Sequence, residues 1–155
     1  MTDLRHSESI DIAATPEVVY ALVTDVPRTG EWSPVCTGCW WDEGAGPQVG
    51  AWFTGRNELD GRVWETRSQV ETAEPDRRFG WLVGGNLIRW TYDLEPNGAG
   101  TRLTESWEFL EPGQQLFRER YGERADAEMA AREATAQEGI TATLRALKRA
   151  AEAGT

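Results

Sequence analysis

From Leu4 to Ile12 the chain alternates: Leu4, His6, Glu8, Ile10 and Ile12 share one parity, and Arg5, Ser7, Ser9 and Asp11 the other. A period of two sends successive side chains to opposite faces, so this run predicts a strand with its Ile10/Ile12 end buried. Thr15-Pro16-Glu17 follows. Thr15 carries a capping oxygen, Pro16 suits the first helical position, and Val18, Val19, Leu22 and Val23 form an apolar stripe, predicting a short helix from about 16 to 24. Pro27 stops it, and Arg28 to Trp32 has room for one more helical turn before Ser33-Pro34 imposes an extended exit.

Between Gly38 and Leu110 the pattern becomes a series of short alternating runs. Turn signals divide them at Gly44 to Pro47, Leu59-Asp60-Gly61, Glu74-Pro75-Asp76, Gly84-Gly85-Asn86 and Pro96 to Gly100, which predicts six strands joined mostly by hairpins. Parity then assigns the faces. Over 62 to 71 the set Trp64, Thr66, Ser68 and Val70 makes the better inward face. Trp90, Tyr92 and Leu94 oppose Arg89, Thr91 and Asp93. Leu103, Glu105, Trp107 and Phe109 oppose Arg102, Thr104, Ser106 and Glu108, so Glu105 is a carboxylate that parity sets among apolar neighbours.

Pro112-Gly113 ends the sheet, and a helical region follows to about Ala151. Leu116, Phe117, Arg120 and Tyr121 make a first amphipathic piece, with a break expected at Gly122; Met129, Ala136, Ile140, Leu144 and Leu147 then recur near helical spacing. No internal repeat or linker is evident, and 155 residues fit a single domain, 1–155, able to bury its core without disulfides or structural metal.

Composition narrows the function classes. A formal net charge of −10 repels nucleic acid phosphates and anionic headgroups, so neither nucleic acid nor a membrane surface is an expected partner. No stretch approaches the roughly 18 to 20 apolar residues of a membrane span, and the start of the chain has no basic run followed by a long apolar one, so a cytoplasmic protein is expected. All eight tryptophans, at 32, 40, 41, 52, 64, 81, 90 and 107, fall in the strand-rich middle. Large rigid rings on a curved sheet suit a cavity for a bulky, partly polar organic ligand.

The order of strand, two short helices, six antiparallel strands and long C-terminal helix resembles the START-like (SRPBCC) helix-grip superfamily, which holds the polyketide cyclase/dehydrase-like proteins. The resemblance spans nearly the whole chain. Its local marks are Ile10 to Val23 (IDIAATPEVVYALV), Glu31-Trp32-Ser33-Pro34, Arg89 to Pro96 (RWTYDLEP) and Gly100 to Ser106 (GTRLTES). It implies an α+β fold in which a seven-stranded curved antiparallel sheet grips the long helix, with a deep cavity between them for lipids, polyketides or other hydrophobic molecules. It carries no shared catalytic motif.

The expected ligand-binding residues are therefore Trp64, Trp81, Trp90, Tyr92 and Trp107, with Phe53, Asn57, Glu105 and Ile140, and with Trp32 guarding the cavity mouth. Trp52 should face outward. Trp40 and Trp41 are adjacent on a strand and at most one of them can line the interior. Glu105 and Tyr92 are the acid/base candidates, because an apolar setting raises a carboxyl pKa toward neutrality; the alternative is a structural pairing of Glu105 with an arginine or tyrosine. Asn57 is better placed than Arg56 to meet a ligand carbonyl or carboxylate. His6, the single histidine, is weak support for a catalytic base.

Cys36 and Cys39 have redox-pair or half-zinc-site spacing, yet two further ligands are wanting and the motif leads into a strand rather than a helix, which favours two reduced, half-buried cysteines. The glycines at 44, 46, 84 and 85 lack the lysine and strand-loop-helix setting of a phosphate loop. No cofactor and no metal are expected. The partner is a hydrophobic small molecule, and a homodimer is compatible with the sequence. Ligand binding is the first reading, a cyclase or dehydratase the alternative, and a protein-interaction module resembling the fold's co-chaperone members the third.

Overall fold

The alternation and turn chemistry resolve into seven strands and three helices in a computed structural model that describes residues 4–154. Strand β1 (Arg5–Ile12) leads to helix α1 (Pro16–Val23), where the Thr15 side chain accepts a hydrogen bond from the Val18 amide, as the capping signal predicts. A 3-10 segment, Val26–Glu31, makes the second short helical piece. Then come β2 (Cys36–Trp41), a 3-10 turn at Asp42–Gly44, β3 (Trp52–Leu59), β4 (Arg62–Glu74), β5 (Arg78–Val83), β6 (Ile88–Asn97) and β7 (Gly100–Phe109). Helix α2 (Glu111–Tyr121) and the long α3 (Ala125–Ala153) close the chain, separated by a 3-10 turn at Gly122–Arg124.

The strands form one curved antiparallel sheet in the order β1-β7-β6-β5-β4-β3-β2, so β1 and β2, consecutive in sequence, lie at opposite edges. Alpha-helix α1 and the 3-10 segment carry the chain across that width. Two-residue turns set the register: Asp60 and Gly61, both at positive φ (52° and 79°), join Leu59 to Arg62, the geometry for which Asp-Gly is favoured.

Paired residues share a face, which tests the parity argument directly. Tyr92 lies opposite Glu105 and Phe79, Trp90 opposite Trp107 and Trp81, and Leu94 opposite Leu103. Phe53 lies opposite Trp41 and Ser68, and Asn57 opposite Trp64. All belong to the concave face. Arg89, Asp93, Glu71 and Glu108 share the other face, where Arg89 is hydrogen-bonded to both glutamates.

Helix α3 packs against β1, β7, α1 and α2, burying Met129, Ala136, Ile140, Leu144 and Leu147. Full burial of each of the Met, Ile and Leu side chains contributes about 1.5–3 kcal/mol. Its last turns are tied to the end of β1: the Lys148 ammonium donates to the Asp11 carbonyl at 2.7 Å, and Glu152 accepts from the Ala13 amide at 2.8 Å. The expected break at Gly122 is present, with φ at 55°, a conformation that ends α2 and redirects the chain. One expectation is corrected. Pro112 and Gly113 lie inside the first turn of α2, which starts at Glu111, because an early helical proline loses no hydrogen bond there.

Candidate functional site

Aromatic rings on the concave face form a connected cluster. Trp81 on β5 is its hub, with ring centres 5.8 Å from Phe53, 5.7 Å from Phe79, 5.8 Å from Tyr92 and 6.3 Å from Trp90, against which it stacks at 17°. Trp41 extends the row through an edge contact with Phe53 at 5.5 Å. Phe53, Phe79 and Tyr92 are buried, whereas Trp41, Trp81 and Trp90 are only half-buried. These three rings thus keep part of their surface in contact with solvent.

Trp107 is nearly fully buried and belongs to a second cluster, with Phe109, Phe117 and Tyr121, that docks α2 on β7. Trp64 shares the concave face but stands apart near the β3–β4 turn, half-buried, with the Arg62 guanidinium 4.9 Å from its ring centre. Trp52 is on the outer face, opposite Gln69, under the Arg67 guanidinium. Trp40 is exposed and Trp41 turned inward, the division that adjacency on a strand requires. Trp32 is 5% exposed, packed in the core with Arg28 over its ring rather than open at a mouth. Ile140 is fully buried on α3. Asn57 is half-buried, its amide 3.3 Å from the Thr66 hydroxyl.

Beside the ring cluster sits the polar centre. Glu105, on β7, is 4% exposed, and its Oε1 is the one fully buried side-chain oxygen or nitrogen among the described residues that lacks a hydrogen-bond partner. Burial, reinforced by the nearby Glu8 carboxylate, pushes its pKa up to about 8, while interaction with the Tyr92 hydroxyl opposes the rise. Tyr92 is itself raised well above the usual phenol value by burial and by Glu105. At neutral pH the Glu105 carboxyl is therefore protonated and able to donate.

Glu8 and Thr141 belong to this centre and were not among the expected site residues. Glu8 lies directly opposite Glu105 on β1, and its Oε1 accepts a 2.6 Å hydrogen bond from the Thr141 hydroxyl of α3. Its parity in the first strand was the available signal; that it would face Glu105 depends on the β1–β7 register. His6 lies along the same strand, 4.0 Å from Glu8. Trp41 and Phe79 were also missed as ring partners: Phe79 shares parity with Trp81 on β5, whereas Trp41 meets Phe53 only through the β2–β3 register.

Two concavities lie away from this centre. One, of about 360 Å³ on the outer face, is lined by Arg78, Arg89, Glu71, Asp93 and Glu108, whose charges pair with one another. The other, of about 560 Å³, lies beside α1 and is lined by Pro16, Asp76, Arg77, Leu94 and Pro96. Neither exposes the ring cluster. No group of three or more His, Cys, Asp or Glu among the described residues is placed to hold a metal ion, and none of their helices is long and apolar enough to cross a membrane.

A curved sheet gripping a long helix agrees with what family comparison finds: the model for polyketide cyclase/dehydrase and lipid transport proteins matches residues 3–152. The chain belongs to that family. Among solved structures it is similar to a polyketide-cyclase-like protein of Corynebacterium glutamicum determined by solution NMR, at 52% identity over 97% of this chain and 93% of that one, with a TM-score of 0.73. It shares its fold with the di-domain ARO/CYC protein StfQ of the steffimycin biosynthetic pathway, at 16% identity and TM-score 0.75, covering 99% of this chain and 52% of that one. It shares it also with a START superfamily protein of Mycobacterium smegmatis, at 16% identity and TM-score 0.69, covering 99% and 100%. The search of curated proteins finds no match. Within the polyketide cyclase/dehydrase and lipid transport family the fold is thus common ground, and fold alone does not set the chemistry of a member.

Proposed function

We propose that this protein binds a hydrophobic, aromatic or polycyclic small molecule against the concave face of its sheet. The observation that carries the reading is the unpartnered Glu105 Oε1 beside half-buried tryptophans. An orphaned buried oxygen costs about 1–3 kcal/mol, a cost that a ligand hydroxyl or carbonyl bonded to the carboxyl would remove. Trp81, Trp90 and Trp41 would hold the apolar body of the ligand, and Asn57 and Trp64 would meet its far end. The family description, which joins polyketide chemistry with lipid transport, supports a ligand of this class. A cytoplasmic location is part of the same proposal.

The raised pKa of Glu105 favours one second reading, a cyclase or dehydratase. There the sheet would pre-orient a flexible chain while the protonated carboxyl gives its proton to an enolising carbonyl, with Tyr92 alongside. Incubation with cell extract, re-isolation and native mass spectrometry test both. Binding predicts a retained small molecule that displaces a naphthalenesulfonate dye and quenches tryptophan fluorescence. Truncating Trp81 to alanine should weaken it roughly ten- to a hundredfold, the equivalent of about 1.5–3 kcal/mol of lost aromatic burial. The enzyme reading predicts chemical conversion that Glu105→Gln abolishes with affinity nearly intact. A protein that retains nothing and binds no dye would overturn both.

A further inference from the structure

Cys36 and Cys39 lie on edge strand β2, outside the ring cluster. On a regular strand, residues three apart point to opposite faces. Here the β2–β3 register jumps: Cys36 lies opposite Asn57, Gly38 opposite Arg56 and Cys39 opposite Gly55. Thr37 is thus the extra residue of a β-bulge, and because the cysteines' partners are two apart, both thiols emerge on the concave face. Two strand rises of about 3.3 Å put such positions roughly 6.6 Å apart, within the ~4.4–6.8 Å between α-carbons that a disulfide spans.

Gly55 makes the room. A β-carbon built there would lie 3.8 Å from the Cys39 sulfur and 3.9 Å from the Cys36 sulfur, so both converge on the place where a side chain is missing. The thiols are free and half-buried, and the Cys36 thiol donates to the Gly38 carbonyl at 3.2 Å. The nearness of the other sulfur is the largest influence on each: it holds Cys36 below the ordinary thiol range and pushes Cys39 up. That asymmetry distinguishes an attacking thiol from a resolving one. A zinc site does not fit, since no third metal-ligating side chain among the described residues joins the pair.

We infer that Cys36 and Cys39 form a reversible dithiol–disulfide couple whose oxidant is a low-molecular-weight disulfide. The Cys36 thiolate attacks one sulfur of that disulfide, forming a mixed disulfide and expelling one thiolate. Cys39 then gives up its proton and attacks the Cys36 sulfur, expelling the second thiolate. The protein loses two protons and two electrons, together two hydrogen atoms, and the reagent takes them up to become two thiols.

Oxidised glutathione serves as the probe, with intact-mass spectrometry and thiol alkylation as readouts. Wild-type protein should lose both alkylatable thiols and two hydrogens without retaining glutathione, and dithiothreitol should restore it. Cys39→Ser should trap one stable glutathione adduct at Cys36, while Cys36→Ser should react at least about tenfold more slowly. Alanine replacements, checked by circular dichroism, substitute for any serine variant that fails to fold. Retention of both thiols in the wild type, accumulation of its glutathione adduct or of disulfide-linked dimers, or equal rates in the two variants would overturn the inference.

Discussion

At position 105 a single proton links the site to the stability of the whole chain. Glu105 has an ordinary carboxyl pKa when unfolded and one pushed up to about 8 when folded, so between roughly pH 4.5 and 8 the folded state holds a proton that the unfolded state has released. Stability from this group is fully present below that window and is lost as pH rises through it, by at most about 1.4 kcal/mol per pH unit. Glu105→Gln, which keeps the shape and removes the titration, should therefore gain stability relative to wild type as pH is raised from 5 to 8.5 in urea unfolding; a constant difference would show that Glu105 does not titrate there. Tyr92→Phe removes the hydroxyl that opposes the rise, so the Glu105 carboxyl should titrate higher still, a shift readable by carbon NMR. The sequence already showed Glu105 among apolar neighbours, since period-two parity is a local property. It did not show Glu8 facing Glu105, which depends on pairing two strands some hundred residues apart.

Elements that follow an unbroken period were legible, and those that break one were not. The inward set from Phe53 to Trp107 follows from alternation, and the chain interruption at Gly122 from composition. The bulge at Thr37 inverts the parity of Cys36 relative to Cys39, and nothing in Cys-Thr-Gly-Cys announces it. The start of α2 was misplaced for a related reason: Pro112-Gly113 reads as a breaker, yet Gly113 is buried in the first helical turn against the Leu87 carbonyl and the Phe109 ring, where a β-carbon would collide. Alanine is intrinsically the better helix former by about 1 kcal/mol, but Gly113→Ala should destabilise the protein by roughly 1–3 kcal/mol through overpacking. Thermal or urea unfolding checks the sign, and a gain in stability would mean that α2 shifts freely on the sheet. By contrast Thr15→Ala should cost about 1 kcal/mol through loss of the α1 cap.

For the molecule as a whole, the seam between β1 and β7 joins distant parts of the chain. The Ser7 and Ser106 hydroxyls, 2.7 Å apart, are separated by 99 positions in sequence, and α3 then locks over the end of β1 through Lys148 and Glu152. The consequence is a folding order. Hairpins from β3 to β7 can close locally, whereas β1 must wait for its partner strand at a loop-closure cost on the order of 4 kcal/mol. Pulse-labelling hydrogen exchange during refolding should find amides of β6 and β7 protected before those of β1, and simultaneous protection would contradict this order. During synthesis β1 consequently stays an unpaired ribbon until β7, some hundred residues later, has been made, and its polar row of Arg5, Ser7, Ser9 and Asp11 keeps one side of that ribbon wet while it waits.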